Sequence, residues 1–509
     1  MPDATDGSAD SRTAQTSASD AATDAISAVA ATSRAADIDA ASPAAINVAG
    51  RRIHFVGIGG CGMSGLARIV KQAGAHCSGS DIGESPTVAS LRDNDINVKV
   101  EQSADTVPSK LDLMVISAAI KPDHPEVVEA TRRGVEVIKY ARMLGRMMIG
   151  RTGVAIAGTH GKSTTTSLLS HILIQTGLDP SFIVGANCKQ IGGGSRVGKS
   201  DILVGEACEY DRSFHNFHPT HSVILNIEED HLDLYSGIEE ILESFATFAA
   251  RTPEHGSLLI QHELGDRLRI TAGLDCAVET IGFAPQADWR VTVDRQSTHA
   301  LARPLVTLFH RGDEVASWPA PMPGDHMAYN AAVAAVTAHR LGADWEGIAS
   351  AVASFEGLDR RMQRLGQRAI AGGDVTVVDD YGHHPTEIDA TLRALRNHYS
   401  PRRLICVFQP HQHSRTRFLM EQFAASFEMA DIVILPHIYF VRDTVQERQA
   451  VRSSDLVDRL RHRNVRAMHL YPFDAIVEQL EVVTQPGDLV VTMGAGDVWQ
   501  VSRDFLNRR

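Results

Sequence analysis

Six residues, Gly158-Thr159-His160-Gly161-Lys162-Ser163, put a lysine and a hydroxyl directly behind two glycines. The apolar run Val154–Ala157 precedes them, and Leu168, Leu169, Ile172 and Leu173 follow at helical spacing, closed by Gly177. A strand-to-helix turn of this composition suits phosphate. Its backbone N–H groups cradle the oxygens, Lys162 reaches the β and γ oxygens, and the Ser163 hydroxyl can ligate Mg²⁺. Ile156 stands five before Gly161, so the loop departs from G-x-x-x-x-G-K-[ST]. The order strand, loop, Lys-Ser, helix still reads as an ATP site, and Thr164 completes its stretch.

Further on, the apolar run Ile202–Gly205 leads into Glu206-Ala207-Cys208-Glu209-Tyr210-Asp211. A carboxylate at the C-terminal end of a strand beside a phosphate loop is well placed to hold Mg²⁺, although a solvated acidic turn explains the spacing equally. A second run, Val223–Leu225, leads into Asn226-Ile227-Glu228-Glu229-Asp230-His231. By itself a lone histidine there is ordinary structure.

An earlier loop, Gly57-Ile58-Gly59-Gly60-Cys61-Gly62, matches G-x-G-x-x-G between the apolar run Ile53–Val56 and the helical pattern Met63–Ala73. Missing side chains let a pyrophosphate approach the backbone at the helix N-terminus. Asp81 follows at the distance of a ribose-binding acid. The loop senses only a diphosphate, so a nicotinamide or flavin cofactor and a UDP-sugar both remain open, as does a tight turn without ligand.

The third set lies nearer the C-terminus. Asp379-Asp380-Tyr381-Gly382-His383-His384-Pro385-Thr386 follows the run Val375–Val378, and Gln409-Pro410-His411-Gln412-His413-Ser414-Arg415-Thr416 follows Leu404–Phe408. Paired histidines before a proline suggest a site loop. A metal site is the other reading, but no further ligand cluster is evident in the sequence. The planar fork of Arg415 suits a carboxylate.

Positioning these loops requires alternating strands and helices, which predicts α/β architecture with parallel sheets. We expect three domains behind an N-terminal tail: 1–46 disordered, 47–148 Rossmann-like, 149–356 a central P-loop ATPase-like domain, and 357–509 a second Rossmann-like domain. Further strands are expected at Leu113–Ile116, Val135–Ile138, Ile432–Leu435 and Leu489–Thr492, with helices at Tyr329–Leu341 and Arg417–Met429. The 509 residues carry 43% hydrophobic and 22% charged side chains, the balance of a globular protein. A net charge of −13 with no Lys/Arg block excludes a broad nucleic-acid surface. The six cysteines form no C-x-x-C pair, as expected of thiols in a reducing compartment. No apolar run approaches the roughly 20 residues that span a bilayer. The Ala/Ser/Asp/Thr-rich tail lacks the apolar core of a secretory signal. The expected location is the cytoplasm, without membrane insertion.

The loop G-T-H-G-K-S resembles that of the Mur ligases, three-domain enzymes that build the peptidoglycan peptide. The longer string G-I-G-G-C-G-M-S-G, residues 57–65, resembles the UDP-binding loop of the alanine-adding members, and the match runs from about 52 to 500. The resemblance implies ATP-dependent amide ligation, with L-alanine joined to the carboxylate of UDP-N-acetylmuramic acid. It implies that Gly57, Gly59, Gly60, Gly62, Met63, Ser64, Asp81 and Ser117 hold the UDP-sugar. Gly158 to Thr164 would hold ATP, with His326 and Asn330 of Gly324-Asp325-His326-Met327-Ala328-Tyr329-Asn330 on the nucleoside and Arg361 on the phosphates. His326 and Asn330 are four apart, and ordinary helix capping explains them as readily without the family. Two Mg²⁺ ions would be held by Ser163, Glu206 and His231. Tyr381, His383 and Arg415 would surround the alanine, and catalysis would rest on Lys162, His383, Glu206 and His231. The chain departs from the family pattern at Cys208, Tyr210 and Gln412. Residues 232–250 contain no lysine, so the carbamoylated lysine of other Mur ligases is unavailable, as in the alanine-adding members. Three rivals stand beside this reading: a ligase that recycles a preformed tripeptide, a nicotinamide oxidoreductase, and a non-catalytic nucleotide-binding protein.

Overall fold

A computed structural model describes residues 45–295 and 303–508. The expected tail, 1–46, lies almost wholly outside the described residues.

The first sheet is built from β1 (Arg52–Val56), β2 (His76–Ser80), β3 (Asn97–Lys99), β4 (Leu113–Ile116) and β5 (Val137–Lys139), in the order β3-β2-β1-β4-β5. All its pairs are parallel. The order reverses beside β1, and ligand crevices of doubly wound sheets form at such a point. The glycine loop leaves β1 there and opens the helix Cys61–Gln72, which buries Met63, Leu66, Ile69 and Val70.

The second sheet contains β6 (Thr152–Ala157), β7 (Ser181–Ile183), β8 (Ser195–Arg196), β9 (Ile202–Ala207), β10 (His221–Ile224), β11 (Ser257–Gln261), β12 (Ala277–Gly282), β13 (Trp289–Asp294), β14 (Leu305–His310) and β15 (Asp313–Pro319). Its order is β15-β14-β13-β12-β11-β10-β6-β9-β7-β8. Ala157 of β6 pairs with Ala207 of β9 on one side and Ile224 of β10 on the other. The three strands therefore end level, and the loops that follow emerge along one edge.

The third sheet contains β16 (Gln363–Ile370), β17 (Gly373–Asp380), β18 (Leu404–Phe408), β19 (Ile432–Leu435), β20 (Arg466–His469) and β21 (Leu489–Met493), in the order β16-β17-β21-β18-β19-β20. Met493 is level with Asp380 and with Phe408, so three more loops leave a common edge. One apolar cluster runs from β6 and the helix Asp325–Arg340 through Phe355 and Met362 to Ile388 and Phe408, which packs the second sheet's layers against the third's.

Three expectations need correction. The segment expected as one helix, Arg417–Met429, is instead two, His413–Phe418 and Met420–Ala425, broken at Leu419. Leu419 is buried and its ψ of 21° carries the chain out of helical register. Glu206 lies within β9 and not beyond it, and Asp379 and Asp380 likewise belong to β17. In each case a polar residue is tolerated in a buried strand because its end opens onto the site.

Candidate active site

The loops from the second and third sheets line a common cleft of about 860 Å³. On one wall the phosphate loop turns through Gly158 (φ 138°) and Gly161 (φ 84°). Both glycines are required sterically. A Cβ on Gly158 would lie 2.9 Å from Leu225, and one on Gly161 would lie 2.7 Å from the Asn330 amide oxygen. The loop after β10 holds the turn in place: Asn226 accepts from the N–H of Thr159 and of His160, at 3.1 and 2.8 Å. The N–H of Glu228 donates to Thr159 Oγ1 at 2.9 Å.

Lys162 opens the helix Lys162–Gln175. Its ammonium donates to Glu209 Oε2 at 2.8 Å, to Thr159 O at 3.1 Å and to Gly158 O. Burial opposes its charge, but Glu209 outweighs this and raises its pKa; Glu209 is held below the usual carboxylate range in return. Glu206 accepts from the Gly185 N–H at 2.9 Å and from Ser163, while burial pushes its carboxyl up. His231 adopts φ 54°, which turns its ring toward Glu209, with Nε2 3.6 Å from Oε1. Its Nδ1 is buried without a hydrogen-bond partner. Ser163, Glu206 and His231 all line the cleft, and a hydroxyl, a carboxylate and an imidazole form a donor set fitted to a divalent cation.

The opposite wall carries Tyr381, His383, His411 and Arg415. The guanidinium groups of Arg360 and Arg361 lie 5.1 and 5.2 Å from the Tyr381 ring centre. Burial lowers the pKa of His383 to about 4 and that of His411 to about 3, so both rings are neutral near pH 7. Arg415 directs Nε and Nη2 at one oxygen of Asp230, at 2.9 and 2.8 Å. Its Nη1 donates to His411 Nδ1 at 3.2 Å. The fork expected for a substrate carboxylate is thus already shared with a protein carboxylate.

A second cavity, of about 300 Å³, is lined by Thr164, Phe283, His326 and Asn330. Burial lowers the pKa of His326 to about 4. His160, Gly161, Arg361 and Glu387 line both cavities and form the wall between them.

The residues of the first loop do not line either cavity. Gly57 (φ 76°) approaches Ser117 at the switch point, where a Cβ would lie 3.1 Å from the Ser117 hydroxyl. Asp81 accepts from the N–H of Gly59 at 2.7 Å and, through its other oxygen, from that of Ile82 at 2.8 Å. It braces the turn. Met63 and Ser64 are buried in the first turn of the helix, and Gly62 packs on Tyr140. The loop nevertheless abuts the cleft, because Cys61 Sγ donates to Val184 O at 3.0 Å, next to the cleft residue Gly185.

Several participants were not singled out from the sequence. Residue type and spacing assign no role to Glu209, Asp230, Glu228 or Glu387. The one signal for Glu387 was its place three residues after His384, which makes a capping box at the start of the helix Pro385–Tyr399. No ligand cluster around the histidine pair is evident in the sequence. The structure instead brings His160 and Glu228 up to His384, with ligand atoms all within 4.8 Å of one another. Of the departures, Cys208 lines the cleft and Tyr210 packs edge-on to His231 at 5.1 Å. Gln412 is buried with φ 70°.

A phosphate loop and a hydroxyl–carboxylate–imidazole set face a separate loop-lined wall across one cleft, an arrangement that suits an ATP-dependent ligase. Comparison with known proteins agrees. Residues 52–152 match the Mur ligase family catalytic domain, 156–338 the Mur ligase middle domain, and 360–496 the Mur ligase glutamate ligase domain. The chain belongs to the Mur ligase family. It is 40% identical over 460 residues to the UDP-N-acetylmuramate–L-alanine ligase of Caldanaerobacter subterraneus subsp. tengcongensis, covering 90% of this chain and 97% of that one. The enzyme of the same name from Geobacter sp. (strain M21) is 40% identical over 458 residues, with 90% and 97% covered. Among solved structures, the UDP-N-acetylmuramate–alanine ligase of Thermotoga maritima superposes with a TM-score of 0.71 at 25% identity, covering 90% of this chain and 98% of that one. A murein peptide ligase from Psychrobacter arcticus shares the fold, with a TM-score of 0.63 at 24% identity over 90% and 98% of the two chains. Among the described residues no helix is long and apolar enough to cross a membrane.

Proposed function

We propose that the protein joins L-alanine to the carboxylate of UDP-N-acetylmuramic acid in the cytoplasm, at the expense of ATP, as a step in peptidoglycan precursor synthesis. The observation that carries this reading is the shared cleft, with Lys162, Ser163, Glu206 and His231 on one wall and Tyr381, His383 and Arg415 on the other. We read the chain as three domains that break near 148 and 356, each bringing one substrate. Gly57, Gly59, Gly60, Gly62, Met63, Ser64, Asp81 and Ser117 bind the UDP-sugar. Gly158 to Thr164, with His160 taking part through its main chain only, bind ATP together with His326, Asn330 and Arg361, and Tyr381, His383 and Arg415 bind alanine.

A carboxylate is a poor acyl donor, because its carbon is electron-rich and its leaving group would be oxide. An oxygen of the muramate carboxylate therefore attacks the γ-phosphorus, the bond to the β-phosphate oxygen breaks, and ADP leaves. The alanine amine attacks the resulting acyl phosphate, loses a proton and expels inorganic phosphate. Lys162 must exchange Glu209 for the phosphoryl oxygens when nucleotide binds. Ser163, Glu206 and His231 would hold Mg²⁺, two ions in all, which supplies charge neutralisation on the transferring group. His383, neutral in the cleft, accepts the amine proton, and the phosphate anion arriving beside it raises its basicity. Asp230 and His411 orient Arg415 toward the amino-acid carboxylate.

Phosphate release should be measured with UDP-N-acetylmuramic acid, ATP and varied amino acids, and the product weighed by mass spectrometry. Alanine-dependent release with a product heavier by one alanine residue supports the proposal. Preference for an alanine-initiated tripeptide would transfer the protein to the recycling branch.

A further inference from the structure

The phosphate loop contains one side chain that the phosphates do not explain. His160, with its side chain 13% exposed, lies between two carboxylates from different units of the fold. Its Nε2 faces Glu228 Oε2 at 3.5 Å and has no closer hydrogen-bond partner. Its Nδ1 faces Glu387 Oε1 at 3.5 Å. The His384 ring lies beside it, 4.7 Å between centroids. Glu387 in turn accepts from the His383 N–H at 3.0 Å and pairs with Arg361 at 3.3 Å. A chain of contacts thus runs from the phosphate loop, through one carboxylate, to the backbone of the loop that carries Tyr381 and His383.

We infer that His160 is a positioning residue, which sets the amino-acid loop of the third unit against the phosphate loop of the second by bridging Glu228 and Glu387. The inference rests on the ligase reading and adds to it a residue that touches neither reacting atom. A metal ion held by His160, Glu228 and His384 is the competing explanation of the cluster. His384 argues against it. Its Nδ1 accepts from the Thr386 N–H at 3.4 Å to cap the helix, and its Nε2 contacts Glu229 O at 3.1 Å. Neither nitrogen is left for a metal.

The charge state follows from the surroundings. The groups facing the ring are Glu228 on the loop after β10, with Glu387 and His384 at the start of the helix Pro385–Tyr399; Arg361 and His383 meet Glu387 from its other sides. Burial disfavours the imidazolium, but Glu387 and Glu228 outweigh it and raise the His160 pKa to about 9. His160 is therefore cationic at neutral pH. Because the folded value exceeds the ordinary one, the bridge is complete below about pH 6.5 and is lost as pH rises through about 9.

The test compares wild type, His160→Gln, Glu387→Gln and the double variant, each assayed for kcat, for KM of alanine and of ATP, and across pH 6–10. Binding of a fluorescent ADP analogue without other substrates reports directly on the phosphate loop. Each single variant should lower kcat/KM for alanine on the order of 10–100-fold, since small misplacements of a reacting group cost that much. The double variant should be no worse than the worse single one, because both break the same link. ADP-analogue affinity should change less than about threefold, and the fall in kcat/KM above about pH 9 should be absent from the His160→Gln profile. Additive losses, or a loss confined to ADP affinity and the KM of ATP, would overturn the inference and make His160 a nucleotide contact. Zn²⁺ or Mn²⁺ binding abolished by His160→Gln would also overturn it, in favour of the metal site. If wild type itself forms no alanine adduct, the ligase reading fails, and a thermal-denaturation cycle of the same four proteins judges the bridge: non-additive losses of Tm support it and additive losses overturn it.

Discussion

Arg415 lies in the helix His413–Phe418 after β18 and Asp230 in the loop after β10, yet two guanidinium nitrogens of the one share a single carboxylate oxygen of the other, at 2.9 and 2.8 Å. Both side chains are nearly buried, at 6% and 7% exposure. Burial works against the Asp230 charge, but Arg415 overrides it and holds the carboxyl far below its usual range. The neighbour of Asp230 is His231, so the pair links the proposed amino-acid residue to the proposed metal ligand across the cleft.

Breaking that pair should be costly on both walls. Asp230→Ala leaves a buried guanidinium without its anion, and loss of one partner of such a pair costs about 3–5 kcal/mol. Calorimetry should show a clear drop in Tm. Arg415→Ala should lower Tm similarly and raise the KM for alanine strongly, with the KM for ATP nearly unchanged. An Arg415 variant that alters ATP use and spares alanine would refute its proposed role.

Lys162→Ala should reduce amide formation at least on the order of 10²-fold, as for other removed transition-state charge partners. UDP-sugar binding should persist, because the first glycine loop is braced within the first sheet by Asp81 and Ser80. Equilibrium binding of the UDP-sugar, alongside turnover, checks both halves. Turnover close to wild type would remove the ATP assignment.

Stability should fall on the acid side in a specific window. His326 and His383 have folded pKa values lowered to about 4 by burial. The unfolded chain takes up these protons near pH 6.5 and the folded protein only near 4, so stability declines as pH drops between the two. His326→Asn should flatten the dependence of Tm on pH over that range. An unaltered slope would mean that the ring is already solvated in the folded protein.

Selection against glycine should be modest, about 1–3 kcal/mol for one methyl group, whereas larger side chains are refused by shape. Competition of alanine, glycine, serine and valine for one enzyme sample, read as kcat/KM ratios, tests this. A ratio of alanine to glycine far beyond about 200 would require a polar contact to the substrate that the cleft does not supply.

What the sequence determined by itself is local. Each glycine loop lies between an apolar run and a helical pattern, and the requirement for positive φ or close approach is written at Gly57, Gly158 and Gly161. Strand ends such as Phe408 and Leu435 were legible because buried parallel strands are short apolar runs bounded by polar loops. The tertiary structure alone decided which loops meet. Lys162 finds Glu209 across 47 residues, Arg415 finds Asp230 across 185, and His384 finds Glu229 across 155. Such pairings depend on strands β6, β9 and β10 ending level and on the packing of the third sheet's helices against the second's. They also redirect side chains whose type was read correctly: Asp81 braces a turn, and the fork of Arg415 is shared with Asp230 before any substrate arrives. Residue type and spacing carry the chemistry a loop can do, but a charge takes its partner from whatever the fold places within a few ångströms, and that distance is set by register and packing.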